Sequence, residues 1–328
     1  MESRSPLERS WTTRRAGFLA APLTLLLGVQ ALPVYALNII LAFDSTQSVA
    51  PSFDPDASRM QGLFSYAANY YEGIIKDDHT LAILFNYVDD AGFIAGELPL
   101  ATANGRITST RITVGTVDND PANLGQPMPW FIDPTPATDT EFSMTQTLWR
   151  DLDVIQRLDW YEETLPAPPT FEVGYTGVAN AAGPAVDQID MLGAILHEFG
   201  HALGLDVTGT IADTQSSDGD YDFAPGLVAG QTLAVETANV EGDDDANRGH
   251  LENTFALMTP AGPKGLRRRP SHTDLLAVAA GGAFTTLAMP RRERYGSGDW
   301  SDATCGRASS RRTRMTMPTC ATAMTAAI

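Results

Sequence analysis

His197-Glu198-Phe199-Gly200-His201 places two imidazoles four residues apart with a carboxylate next to the first. On a helix that spacing puts both rings on one face, one turn apart. Imidazoles so arranged grip a divalent ion, Zn²⁺ above all, and Glu198 is placed to take a proton from a water held on the same ion. The chemistry implied is hydrolysis. A hydrolytic zinc wants three protein ligands and one open position, so a third donor has to come from elsewhere in the chain.

The elements that position these residues follow from hydrophobic periodicity. Met191, Leu192, Ile195, Leu196 and Phe199 recur at helical spacing around the motif, with Asp187 or Asp190 as the N-cap and Gly204 as the C-terminal stop. Upstream, Leu37–Phe43 is a short apolar run that predicts a strand buried on both faces. Met60, Leu63, Phe64, Ala67, Ala68, Tyr71 and Ile74 then predict an amphipathic helix over Ala57–Ile75, and Thr80–Val88 a second strand. Strand, helix, strand implies a parallel pair. Ile107–Val117 reads as a strand following the Asn104-Gly105 turn, residues 118–140 as loop, and Phe142–Leu158 as helix. Phe171–Tyr175 reads as a strand, either an ordinary one or an edge on which an extended substrate could pair. Residues 206–249 form a long acidic excursion. Ser271 and Asp274 form a capping pattern for a last helix over Ser271–Ala280, ended by Gly281-Gly282.

The flanks differ in charge from the body. Residues 1–36 hold four Arg against two Glu, and residues 290–328 hold seven Arg against three acids, so the formal charge of −18 becomes −24 over residues 37–289. So acidic a body repels phosphate backbones and excludes nucleic acid as the expected partner. Arg14-Arg15, the apolar stretch Ala16–Leu32 and Val34-Tyr35-Ala36 have the layout of an export signal, cleaved after Ala36 or Ala31. The apolar stretch is too short and too broken by Pro22, Gly28 and Pro33 for a membrane span, so no span is expected after cleavage and the mature protein is expected to be secreted, extracellular or in the cell envelope. The domain division is then 1–36 leader, 37–290 folded body and 291–328 a basic low-complexity tail, expected to be disordered. Cys305 and Cys320 both lie in the tail, so the body is expected to fold without disulfides.

With Gly204 at its set distance, the motif resembles the metzincins, a family of secreted zinc endopeptidases with H-E-x-x-H-x-x-G-x-x-H and a later methionine turn. The residue three beyond Gly204 is Val207, which cannot bind a metal; Asp206, one place earlier, could. Gly249-His250-Leu251-Glu252 followed by Ala256-Leu257-Met258-Thr259-Pro260 resembles the leishmanolysin-like branch, in which a long insertion precedes the third histidine. The resemblance implies an α+β, zincin-like domain with a mixed twisted sheet, an active-site helix and a C-terminal helix. It also implies His250 as third ligand, Met258 packed beneath the metal and Gly204 as structural support. Where some metzincins carry a tyrosine after the turn, Thr259-Pro260-Ala261 stands here.

The function expected is that of an exported zinc metalloendopeptidase acting on protein or peptide, with His197, His201 and His250 on Zn²⁺ and Glu198 as general base. The other readings are a non-catalytic binding or adhesion module and a zinc hydrolase of a non-protein substrate. Asp213–Asp222 and Glu241–Asp245 are candidate Ca²⁺ sites or solvated loops. Arg267-Arg268-Arg269 reads as a surface charge run or a contact for substrate carboxylates. His272 is expected to face solvent and His79 to be structural. The oligomeric state is left open.

Overall fold

The computed structural model describes residues 36–89, 94–118, 123–153, 156, 172–206, 211, 220–222, 232–234, 249–260 and 262–290. The expected leader up to Tyr35, the tail beyond Pro290, both acidic clusters except Asp220–Asp222, and both cysteines lie outside these residues.

The first sheet is built from β1 (Asn38–Phe43), β2 (Thr80–Val88), β3 (Ala95–Ala103) and β4 (Arg106–Gly115), in the order β1-β2-β4-β3. The β1, β2 and β4 strands run parallel, with Ile39 opposite Leu81 and Ile83 opposite Thr110. Between β1 and β2 runs α1 (Ser58–Ile74), burying the seven apolar residues picked out by its periodicity. It is sandwiched. Phe64 stacks on Phe85 of β2 at 4.0 Å on one side and lies 5.7 Å from Phe199 of the motif helix on the other. Each ring so buried contributes on the order of 1.5–3 kcal/mol. Tyr71 closes the same interface by donating its hydroxyl to the Leu196 carbonyl at 2.9 Å.

Two strand assignments differ from expectation. The β1 strand is an edge with one face outward, and Ile40 is half exposed, so it is not buried on both faces. The β3 strand, which its Gly96, Pro99 and alanines conceal in the sequence, pairs antiparallel with β4 through a hairpin turn at Asn104 (φ 53°) and Gly105 (φ 79°). Positive φ at both central residues is the turn whose twist matches paired strands. Pro99 is tolerated because β3 lies at the sheet edge.

Next come β5 (Trp130–Phe131), β6 (Phe142–Leu148), β7 (Glu172–Ala179), β8 (Ile189–Asp190) and α2 (Met191–Leu203). After these lie β9 (Asp220–Asp222), β10 (Thr232–Ala234), β11 (Leu266–Arg269) and α3 (His272–Gly281). The β5 strand pairs with β8, β9 with β10, and β11-β7-β6 form a second, antiparallel sheet. The helix expected over Phe142–Leu158 is therefore corrected in its first part: Phe142–Leu148 is strand and Trp149–Asp151 a single 3₁₀ turn, whereas residues 154, 155, 157 and 158 lie outside the described residues. Phe142, Met144 and Leu148 alternate with Ser143, Thr145 and Thr147, a period of two that favours a half-buried strand. The β7 strand is paired on both sides, so it is no edge for a substrate. Among the described residues no helix is long and apolar enough to cross a membrane.

The arginine run is not a surface patch. Arg267 is wholly buried and Arg269 is 4% exposed. Arg267 meets Asp133 and Asp190 at 2.7 Å each and Asp139 at 3.1 Å, with its guanidinium 4.2 Å from the Phe142 ring. Arg269 pairs with Asp139 at 2.7 Å.

Candidate metal centre

His197 and His201 stand one turn apart on α2, as the motif spacing requires. Asp190 caps the helix, its carboxylate accepting from Gly193 N at 3.0 Å while its two oxygens also hold Arg267. At the other end Gly204 (φ 154°) lies so close to the backbone of Gly281 and Gly282 that a Cβ would collide with both. The ends of α2 and α3 meet there glycine to glycine, which only residues without a Cβ permit.

His250 arrives from the far side of the long acidic excursion. Gly249 before it is another close approach, since a Cβ would stand 2.6 Å from the Leu205 carbonyl and 3.3 Å from the His201 ring. The Nε2 atoms of His197 and His250 are 3.2 Å apart and those of His197 and His201 2.9 Å. All three histidines offer ligand atoms within 4.8 Å of one another, and they are the one such group found among the described residues. Asp206, the other candidate third ligand, does not join it; it lines the same cavity and hydrogen-bonds Glu97 instead.

The tautomers follow from the outer partners. His197 Nδ1 meets the Leu257 carbonyl at 2.9 Å and His201 Nδ1 the Leu205 carbonyl at 2.7 Å. A carbonyl only accepts, so each Nδ1 carries the proton and each Nε2 presents a lone pair. Burial, assisted by the neighbouring imidazoles, holds His197 well below the ordinary histidine range. Burial likewise lowers His201 and, with the charge of His201, takes His250 down to about 3. His197 and His201 thus aim lone pairs into the cluster, and the Nε2 of a third neutral ring, His250, meets them there. A metal ion fits this donor set.

Beneath the centre, Met258 is wholly buried and its sulfur fills the space where a Cβ on Gly200 would be. Met258 N donates to Asp274 Oδ1 at 2.9 Å, and Leu251 N donates to the Met258 carbonyl. The capping box of α3, in which Asp274 and Ser271 hold each other's backbone, therefore also fixes the turn that carries the Leu257 carbonyl to His197. The sequence located the cap but gave no sign of this second task.

Glu198 is 6% exposed, and burial pushes its carboxyl up to about 8. It shares with the three histidines a cavity of about 570 Å³ that is also lined by Ile94–Pro99 of the β3 side and by Thr259, Pro260, Leu266 and Arg268. Glu97, which the sequence did not single out, hydrogen-bonds Asp206 and Thr110 there; burial chiefly, with the Asp206 contact, pushes it up to about 9. Its strand was hidden, and with it the alternation that would have aimed Glu97 inward.

The remaining histidines lie outside the cluster. His79 bonds the Ile107 carbonyl at 2.8 Å and is structural. His272 is part-buried rather than solvent-facing, with Nδ1 accepting from Glu172 N at 3.4 Å. No family model, no curated protein and no solved structure matches the chain in comparison.

Proposed function

We propose that the protein is an exported zinc-dependent metalloendopeptidase of zincin-like, metzincin type. The reading is carried by one observation: the convergence of three neutral Nε2 atoms on a point in the same cavity as the buried carboxylate of Glu198. With Nε2 atoms 3.2 and 2.9 Å apart, His197, His201 and His250 would hold a single ion such as Zn²⁺ between them. The methionine under the helix, the four-stranded sheet with one antiparallel strand and the helix after the turn support the same type.

When bound, the metal supplies Lewis acidity that acidifies a water and polarises a carbonyl. The chain's own residues do the rest. His197 and His201 are held in the correct tautomer by the Leu257 and Leu205 carbonyls. Glu198, ionised beside a dication, accepts the proton of the attacking water and delivers one to the leaving amine. An extended peptide pairs along β3, which among the described strands bonds only β4 and passes the cavity through Ile94–Pro99.

The test is proteolysis by purified mature protein with and without a chelator, beside three variants. Chelator-sensitive cleavage of casein or gelatin is expected. Glu198→Gln should bind metal but cut nothing, His250→Ala should lose metal, and Asp206→Ala should keep it. Full activity of Glu198→Gln, or metal loss in Asp206→Ala alone, refutes the assignment. Metal binding without cleavage of any protein favours the binding module or the non-protein hydrolase.

A further inference from the structure

Three consecutive arginines on one strand have two destinations. On β11, paired antiparallel with β7 in the register Arg267↔Gly177, Arg268↔Thr176 and Arg269↔Tyr175, successive side chains point to opposite faces. Arg267 and Arg269 turn inward and are fully engaged by Asp133, Asp139 and Asp190. Arg268 shares the other face with Leu266, and both line the cavity that holds the histidines. Arg268 is the single Lys or Arg among the described lining residues. Its guanidinium is steadied by donation from Nη2 to the Thr254 carbonyl at 3.2 Å, and its charge is felt at His197.

Around it the wall is small and apolar. Gly193 and Ala194 of α2, with Leu257, Pro263 and Leu266, leave room beside the cation. Among the described lining residues the other acidic groups besides Glu198 are Asp190, which is paired to Arg267, and Asp206 hydrogen-bonded to Glu97, which burial holds protonated. The last two are grouped near His201, five residues from Asp206 and a full turn along α2 from His197. The cleft is therefore polar along the helix, positive toward Gly193 and His197 and acidic toward Leu205. A protein of net charge −18 repels anions at long range, so a cation held at the cleft wall is what gives an anionic group a place to dock.

We propose that Arg268 is a specificity-determining residue that selects peptides bearing an acidic side chain beside the bond to be cleaved, on the β11 side of the cleft. The inference rests on the peptidase reading for its substrate class. A carboxylate of Asp or Glu reaching past Leu257 and Leu266 meets a guanidinium that attracts it by charge and can donate a charge-assisted hydrogen bond to it. An amide makes weaker bonds there, and a lysine is repelled.

Binding tests this without requiring turnover. Fluorescein-labelled hexapeptide pools, degenerate except at one fixed position of Glu, Gln or Lys, are titrated against the full mature zinc-loaded Glu198→Gln protein by fluorescence anisotropy. Glu at one position should bind about ten- to hundredfold tighter than Gln, the span of one charge-assisted contact. Adding Arg268→Gln should abolish that difference, Arg268→Glu should turn the preference to Lys, and Arg268→Lys should retain part of it. Metal content and thermal melting check that each variant is folded. Equal binding of the Glu and Gln pools at every position overturns the proposal. So does an Arg268→Gln variant that lowers kcat equally for every peptide with KM unchanged, since that would put Arg268 on the reacting carbonyl. If the charge preference is found but wild-type protein cleaves none of the peptides bound, the docking inference stands and the peptidase reading falls.

Discussion

Replacing Arg267 by Met removes the one cation to which Asp133 and Asp190 are paired among the described ion pairs, while keeping a side chain long enough to lie against Phe142. Arg267 and Asp133 have fully buried side chains and Asp190 is 4% exposed, so the carboxylates left behind cannot regain hydration. Breaking a buried pair from one side costs about 3–5 kcal/mol, which for a body of this size lowers Tm by about 10 °C. The pH dependence gives the sharper test. Burial already raises Asp190, and the bonds from Arg267 oppose that rise; without them its folded pKa climbs further. A carboxyl whose folded pKa lies above its unfolded value, about 3.9, loses stability as pH rises between the two. The deficit of Arg267→Met relative to wild type should therefore be largest near pH 7.5 and shrink toward pH 5. Urea unfolding of chelator-treated proteins at both values measures it, and contributions common to both proteins, such as those of the histidines, cancel in the difference. Adding Asp190→Asn keeps an N-cap for α2 and removes one stranded charge, so the double variant should be more stable than Arg267→Met alone. A deficit below about 1 kcal/mol, or one equal at the two pH values, would refute the claim that this cluster holds the end of the motif helix.

Gly200→Ala drives a methyl group into the Met258 sulfur, and overpacking of that kind costs about 1–3 kcal/mol. In a double-mutant cycle with Met258→Ala the combined loss should be smaller than the sum, and strict additivity would mean the two do not touch. Metal binding at pH 7 should release about one proton per ion, because Glu198 at about 8 is mostly protonated without metal whereas His250 at about 3 is already neutral. Calorimetry in two buffers of different ionisation enthalpy measures the release; it should fall in Glu198→Gln, and an unchanged value would show that the proton comes from elsewhere.

Local features of the fold were readable in the sequence because local physics sets them. The seven buried positions of α1 repeat at helical spacing, the α3 capping box lies within four residues, and the i, i+4 pair of His197 and His201 is geometry that a helix alone supplies. What stayed hidden depends on partners far along the chain. The β3 strand has composition poor in strand formers and owes its existence to pairing with β4 after a two-residue turn. The β6 strand carries an alternation that competes with a plausible helical pattern, and pairing with β7 decides between them. Asp133, Asp139 and Asp190 meet Arg267 across 77 to 134 residues, and no local pattern announces such a contact.

The Arg267–Arg269 run shows why a composition-based reading fails at such a place. Three like charges in sequence suggest a solvated face, and on a loop they would form one. On a strand the period of two divides them, so a single residue type serves both layers on either side of β11. Toward the interior, Arg267 and Arg269 neutralise the aspartates, one of which caps α2 and so sets where His197 and His201 stand. Toward the cavity, Arg268 places a positive charge on the wall that also holds the hydrogen-bonded Glu97–Asp206 pair. Strand register thus couples the two roles: shifting β11 by one residue would bury Arg268, expel Arg267 from its aspartates and unseat the helix that carries His197 and His201. Selection of a substrate charge and positioning of the ligands are in that sense fixed by the same four residues, Leu266–Arg269.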